Sequence, residues 1–332
     1  MSDTQPAARA RVILVGGAGF IGSHFTDRLL ADPSTERVTL YDNFSSGQEW
    51  HYAEHLSDSR LSVVRADAND LDALHAAMKG HDLVVHLASN PDISAAVTNP
   101  AIDFDQGTLI THHVVEAMRR AGVPRIAYSS GSGVYGDLHE LEATEDHGPL
   151  MPTSTYGASK LAGEALIGAY AHMFGIQGFA FRNGNVVGRR QTHGVGFDFL
   201  RRLIADPSKL RVLGDGYQSK SYILAADVIN AFLAVLDAPI TEPFRSFNVA
   251  TGDYITVREI AAIALRVIGL DEHMTTVSYG TEPRGWKGDV PIVRLDTSRI
   301  RDLGWAPSAG SDEALRLSME SMRSDLQRQA EV

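Results

Sequence analysis

Short, largely apolar runs alternate along this chain with longer stretches of helical spacing. The apolar runs are RVILV (Arg11–Val15), RVTLYD, LSVVRAD, DLVVHLAS, VPRIAYSS and IQGFAFRNGNVVG. Between them lie segments such as SHFTDRLLAD, DLDALHAAMKG and TLITHHVVEAMRRAG, which carry a helical pattern. A strand without a polar face is covered on both sides, and helices with an apolar stripe supply the cover. The alternation predicts an α/β fold, a doubly wound parallel sheet with helices on both faces. Ligands of such a sheet bind beyond the carboxyl ends of its strands.

The first strand runs directly into GGAGFIG. The spacing Gly17-x-Gly19-x-x-Gly22 fits a dinucleotide fingerprint, and Gly16-x-x-Gly19-x-x-Gly22 is present as well. The first glycine permits a tight turn, the second lets the backbone approach a pyrophosphate, and the third lets helix and strand pack closely. The helix N-terminus then offers free N–H groups to the phosphates. The second apolar run ends in Asp42, twenty residues after Gly22. A carboxylate there accepts both ribose hydroxyls of NAD and repels the 2′-phosphate of NADP. The expected fold is therefore Rossmann-type and the expected cofactor is NAD. Asp67 and Ala68 end the third run and are placed for the adenine. Leu87, Ala88 and Ser89 end the fourth, beside the diphosphate and ribose. His86, inside that run, reads as a packed residue.

STYGASKLAGEAL holds Tyr156 and Lys160, four apart and so on one face of a helix. A phenol that ionises near pH ~10 is a weak base at neutrality. A neighbouring ammonium and a positive nicotinamide ring favour the phenolate, which can take a proton from an alcohol.

These residues, with GGAGFIGSH, YDNFSSG, HLAS, SSGSGVYG, YGASK, FRNGNVVG, GDGYQSKSY followed by AADV, and FNVATG, resemble the extended short-chain dehydrogenase/reductases, the NAD-dependent nucleotide-sugar epimerases and dehydratases. The resemblance covers nearly the whole chain. It implies oxidation at a sugar carbon by tightly held NAD, with Tyr156 as base and Lys160 orienting the nicotinamide ribose. It adds Phe20 and Ile21, and Asn43, Ser45, Ser46 and Gly47, to the cofactor contacts. For a nucleotide sugar it implies Asn185 as a substrate contact and Val212 in the wall around the base. Lys220 stands where an arginine is more usual, and Arg284 matches a diphosphate-binding arginine; two cations converging on a pyrophosphate are expected. The implied organisation is an NAD domain over residues 1–182, with returns at about 221–251. A smaller C-terminal α/β substrate lobe would comprise 183–220 and 252–332. Family members pair through helices at about 108–120 and 156–173, so a homodimer is expected.

The chain departs from the family's pattern in informative places. Gly131 stands where a serine or threonine usually hydrogen-bonds the reacting hydroxyl, so a neighbour must substitute. Ser130 and Ser132 are the candidates; relatives with a glycine here favour Ser130, while strand alternation would put both on one side. The 4,6-dehydratases carry an Asp-Glu pair at the places of Ser132 and Gly133, and decarboxylases tend to keep the glutamate. Without those carboxylates nothing there serves an elimination, which needs an acid and a base. The favoured activity is 4-epimerisation of a UDP-sugar, either glucose/galactose or glucuronate/galacturonate. A 4,6-dehydratase, a decarboxylase and a plain sugar dehydrogenase are the alternatives, and a non-catalytic NAD-binding regulator is the rival from outside catalysis. Gly107 replaces an asparagine that touches the cofactor, with Gln106 beside it. Arg189 replaces a proline near the substrate entrance, where a guanidinium could pair with a uronate; a surface arginine is the plain alternative.

Composition narrows this picture without changing it. The formal net charge of −11 over 332 residues argues against a nucleic-acid binder. No run approaches a membrane span. With no cysteine there is no disulfide or thiolate metal site, and no metal site is suggested otherwise: His112 and His113 point apart on a helix. The opening MSDTQPAARA reads as a short disordered lead and not as a signal peptide. A cytoplasmic location is expected.

Overall fold

A computed structural model describes residues 9–271 and 273–330. The lead expected to be disordered lies, up to Ala8, outside the described residues. Seven strands form one sheet: β1 (Arg11–Val15), β2 (Arg37–Asp42), β3 (Leu61–Arg65), β4 (Leu83–His86), β5 (Arg125–Gly131), β6 (Gln177–Asn183) and β7 (Phe244–Val249). Their order is β3-β2-β1-β4-β5-β6-β7, and every pairing is parallel. The order reverses between β1 and β4, which opens a crevice at their carboxyl ends.

Alternate residues of β1 feed opposite cores, which explains why the run has no polar face. Val12 and Leu14 join Phe25 of α1 (Phe20–Leu30) and Phe232, a residue of the later helix 225–237. Ile13 and Val15 join Leu74 of α2 (Leu71–Met78), Val114 of α3 (Ile110–Ala121) and Ile167 of α4 (Thr155–Phe174). The rings of Phe181 and Phe232 stack with centroids 3.6 Å apart.

A third core lies away from the sheet. Leu200 and Leu203 of α5 (Val195–Ala205), Ile260 and Ala264 of α7 (Val257–Ile268), and Leu315 and Met319 of the helix Ser311–Ala330 build it. Between α5 and α7 the chain returns to the sheet through α6 (Ala225–Asp237) and β7. The apolar run IQGFAFRNGNVVG is two strands: β6 stops at Asn183, and Asn185–Val187 pairs with Tyr222–Leu224. The break brings Asn183 and Asn185 to the crevice.

Helix α4 is set by its own ends. The hydroxyl of Ser154 accepts from the Gly157 N–H at 3.1 Å, and Gly175 closes the helix at φ +73°. Such a cap is worth about 1 kcal/mol. It fixes where the first turn begins, and with it the direction of Tyr156.

Candidate active site

A cleft of about 590 Å³ runs along the carboxyl ends of the strands, ample for a bound small molecule. Its floor at one end is the glycine turn after β1. Gly16 has φ +83°, and a Cβ there would lie 2.6 Å from the Ala88 nitrogen. A Cβ on Gly22 would strike the backbone of Gly17. Gly19 caps α1 without a side-chain bond, so first-turn N–H groups are left for a ligand at the cleft. Asp42 accepts from the Ala18 N–H at 2.9 Å and the Phe44 N–H at 2.8 Å. Burial raises its pKa, against the pull of those two N–H groups. It braces the glycine turn while facing the cleft.

Around it, Phe20, Ile21, Asn43, Ser45, Ser46, Asp67, Ala68, Leu87, Ala88 and Ser89 all line the cleft. Gly47 does not: it is buried behind the wall, where a Cβ would meet Ala18 and Asp42. Two polar atoms on this wall are buried without a partner, the Ser89 hydroxyl and the Asn183 side-chain oxygen. Orphaned buried groups in a concave site are the mark of a missing polar ligand. The close glycine approach, the uncapped helix, the carboxylate and these orphans fit a dinucleotide.

At the other end lie Tyr156 and Lys160. The Lys160 ammonium, 3% exposed, donates to the Ser129 carbonyl at 2.8 Å. It sits 5.4 Å from the Tyr156 ring and 5.1 Å from the Tyr128 ring. Burial alone would lower its pKa; the hydroxyls of Tyr128 and Tyr156 outweigh it, and the pKa lies above the ordinary lysine value. The amine therefore stays charged against the phenol of Tyr156.

The two candidate hydroxyls part company here. Strand β5 ends at Gly131, and Ser132 opens a 3-10 turn, so strand alternation does not carry across them. The Ser130 hydroxyl donates to Glu164 at 2.6 Å, and Glu164 is clamped by Arg182 at 2.7 Å, both deeply buried. Ser130 also lines the cleft, but with its proton given to Glu164 its oxygen can only accept from a bound hydroxyl. Ser132 is half-buried on the cleft wall, and its hydroxyl makes no hydrogen bond among the described residues. A Cβ on Gly131 would meet nothing within 4 Å.

Of the residues expected around a nucleotide, Asn185 and Lys220 line the cleft. The Asn185 amide donates to the Ser221 carbonyl at 3.2 Å. Lys220 is held by Asp289 at 2.6 Å. Arg284 lies off the cleft wall, on Asp137 at 2.7 Å and on the Asp289 carbonyl. Val212 is 1% exposed and packs in the third core, off the wall of this cleft. Arg189 is also corrected. It pairs with Asp27, on α1, and does not reach the cleft. There Asp27, Glu54 and His55 come together, and Arg190 neutralises the two carboxylates further.

The model of the NAD dependent epimerase/dehydratase family matches residues 12–250. The chain belongs to this family. The match takes in β1 to β7 and both ends of the cleft, so NAD is the cofactor of the fold described above. A UDP-glucose 4-epimerase of Mycolicibacterium smegmatis is 32% identical over 327 residues, 96% of this chain and 100% of that one. The solved UDP-glucose 4-epimerase of Thermus thermophilus in complex with NAD is 30% identical, covering 94% of this chain and 99% of that one, with a TM-score of 0.82. A dTDP-glucose 4,6-dehydratase from Streptomyces venezuelae, with NAD and TYD bound, is 26% identical, covers 96% and 98%, and has a TM-score of 0.87. Epimerases and dehydratases of the epimerase/dehydratase family thus share this backbone equally, and side chains must separate the reactions.

Several residues in and behind the cleft wall escape a reading of the sequence. Glu164 follows Lys160 by four residues, a spacing that shares its face and could have pointed to it. Asn90, Asn183, His193 and Trp286 line the cleft; of these only Asn183, at the end of an apolar run, carries a signal. Among the described residues no helix is long and apolar enough to cross a membrane.

Proposed function

We propose that the protein is an NAD-dependent nucleotide-sugar 4-epimerase acting on a UDP-sugar. One observation carries this reading: among the described residues no free carboxylate lines the cleft near Tyr156. The acidic residues on its wall are Asp42 and Asp67 at the dinucleotide end and Asp289, which is paired with Lys220. Dehydration needs a proton donor for the departing hydroxyl and a base at the adjacent carbon. With serine at 132 and glycine at 133, no carboxylate stands beside Tyr156 on the cleft wall, among the described residues, to serve as that second acid–base pair. Proton transfer at one oxygen is what its residues support.

In this reading the Tyr156 oxygen takes the proton of the sugar's 4-hydroxyl and later returns it. Lys160 holds positive charge beside the phenol, fixed by the Ser129 carbonyl. The Ser132 hydroxyl bonds the reacting oxygen in place of the side chain missing at 131. Asn185 and Lys220 hold the nucleotide end, with Arg284 recruited from its surface pair. NAD, held by the glycine turn and Asp42, would supply the reversible hydride acceptor that oxidation at the sugar carbon requires. The open volume beside Gly131 gives a tethered sugar room to turn. With Arg189 engaged by Asp27, the ground for a uronate weakens, and glucose/galactose is the first substrate pair. The two-part division at residue 182, the cytoplasmic location and a homodimer through α3 and α4 belong to the same proposal. Exposed Met173 and Phe174 at the end of α4 support the pairing.

The test is incubation with a panel of UDP- and dTDP-sugars without added NAD, followed by product stereochemistry. Inversion at C4 without net NADH supports the reading. A 4-keto-6-deoxy product, or accumulating NADH absorbance, would refute it.

A further inference from the structure

The helix that carries Tyr156 is held by a buried carboxylate, Asp103, four residues before Gly107. Asp103 is 1% exposed, and its carboxylate is shared. One oxygen accepts from the Asn90 amide at 2.9 Å, the other from the Thr155 hydroxyl at 2.7 Å. Asn90 lies on the cleft wall after β4, and its side chain also closes the turn to Asp92, with bonds of 2.8 and 3.0 Å. Thr155 is the first residue of α4, directly before Tyr156.

The chain after Asp103 then forms a π-helical turn, Phe104–Leu109, a rare geometry that clusters at functional sites. This turn presses on α4 one turn further along. A Cβ on Gly107 would stand 2.6 Å from the Ser159 hydroxyl, which itself donates to the Tyr156 carbonyl at 2.9 Å. The Gly107 carbonyl accepts from Thr111 at 2.8 Å, and Thr111 meets His86 of β4 at 2.9 Å. Residues 155 and 159 are thus gripped, and 156 and 160 lie between and beside the grips. The buried Asp103 carboxylate is fixed between two donors, one of them the buried Asn90 amide, which has no water to turn to if the bond is lost.

We propose that Asp103 is a positioning residue: through Thr155 and Asn90 it sets the rotation of the first turn of α4 against the cleft wall, and so the place of the Tyr156 oxygen. The inference rests on the catalytic reading of Tyr156 given above. A base displaced by a fraction of an ångström loses rate and leaves nucleotide binding intact, since Lys220 and Asn185 sit on other elements.

The variants are Asp103→Ala, Asp103→Asn and Thr155→Val, with the double variant Asp103→Ala/Thr155→Val. Asp103→Ala should lower kcat about 10- to 100-fold, with KM for the nucleotide sugar within about twofold. Asp103→Asn, which keeps an acceptor, should recover part of the loss. The double variant should be no slower than Asp103→Ala, because both changes break one link. Amide hydrogen exchange over residues 153–161 should quicken in each variant while α7 is unchanged. Unaltered exchange in that segment, an unchanged kcat, or a rise in KM matching the fall in kcat overturns the proposal. Should Asp103→Ala fail to fold, Thr155→Val, at an exposed helix start, carries both readouts. If the unmodified chain turns over no nucleotide sugar, the catalytic reading fails, and the exchange pattern alone decides whether Asp103 sets the helix.

Discussion

Ser130 and Ser132 are two residues apart and belong to different systems. Ser130 donates into a buried Glu164–Arg182 pair, where its loss leaves a carboxylate short of a donor. Ser130→Ala should therefore lower unfolding stability by about 1–3 kcal/mol and leave the pH profile of kcat in place. Ser132→Ala should do the reverse, cutting kcat by about 100-fold with the denaturation midpoint unmoved. The backbone at Gly131 is extended, with φ −160°, and a side chain there meets open space. Gly131→Ser should fold normally and restore much of the activity lost in Ser132→Ala. If the double variant stays as slow as Ser132→Ala, the reacting hydroxyl is not held from this strand end. At the same scale, Arg189→Ala should leave the ratio of UDP-glucose to UDP-glucuronate turnover unchanged, since Asp27 engages its guanidinium. A shifted ratio would return Arg189 to the substrate.

At the scale of elements, the loop from Arg284 to Asp289 ties two cations into internal pairs. Asp289 holds Lys220 and accepts the Gly285 N–H at 3.1 Å, while Asp137 holds Arg284. In the proposed function a nucleotide diphosphate arriving at Lys220 would compete with Asp289, exchanging one ion pair for another. Lys220→Met should weaken UDP binding about tenfold and flatten its dependence on salt, as measured by calorimetry at two ionic strengths. Undiminished affinity would mean that the lysine stays with Asp289. This loop also marks where the sequence stops being legible. The glycine turn, Asp42 and the Tyr156–Lys160 face could be read because each rests on local spacing within one or two elements. The partners of Lys220 and Arg284 lie 69 and 147 residues away, and Asp103 meets Asn90 and Thr155 only through the packing of three elements. Val212 misled for a related reason: in a strand a side chain has two possible faces, and here the third core claims it. Arg189 misled because its acid, Asp27, sits on α1, 162 residues earlier in the chain.

Across the whole molecule, the double cover of the sheet has a cost that pH exposes. His86 lies wholly inside, with its ring against Tyr128 and one nitrogen on Thr111. Burial, reinforced by the Lys160 charge, lowers its pKa to about 3. His24, at about 4, and His51, His81 and His193 are lowered in the same direction, each chiefly by desolvation. A depressed folded pKa means that the unfolded chain binds the proton first. The stability these groups contribute is complete above the unfolded histidine value of about 6.5 and drains away as pH falls toward their folded values. Asp42 and Glu145, whose pKa values burial raises, act with the opposite sign, but only from the carboxylate range upward. The histidines therefore govern the interval from about pH 6.5 down to pH 5. For His86 alone, 1.5 pH units there correspond to about 2 kcal/mol. Denaturant melts at pH 7.5 and pH 5 should show the chain clearly weaker at the lower value. In His86→Phe, which keeps the ring in its slot and removes the titration, the gap between the two melts should shrink by about that amount. An undiminished gap would assign the acid sensitivity to the other four histidines and deny it to His86.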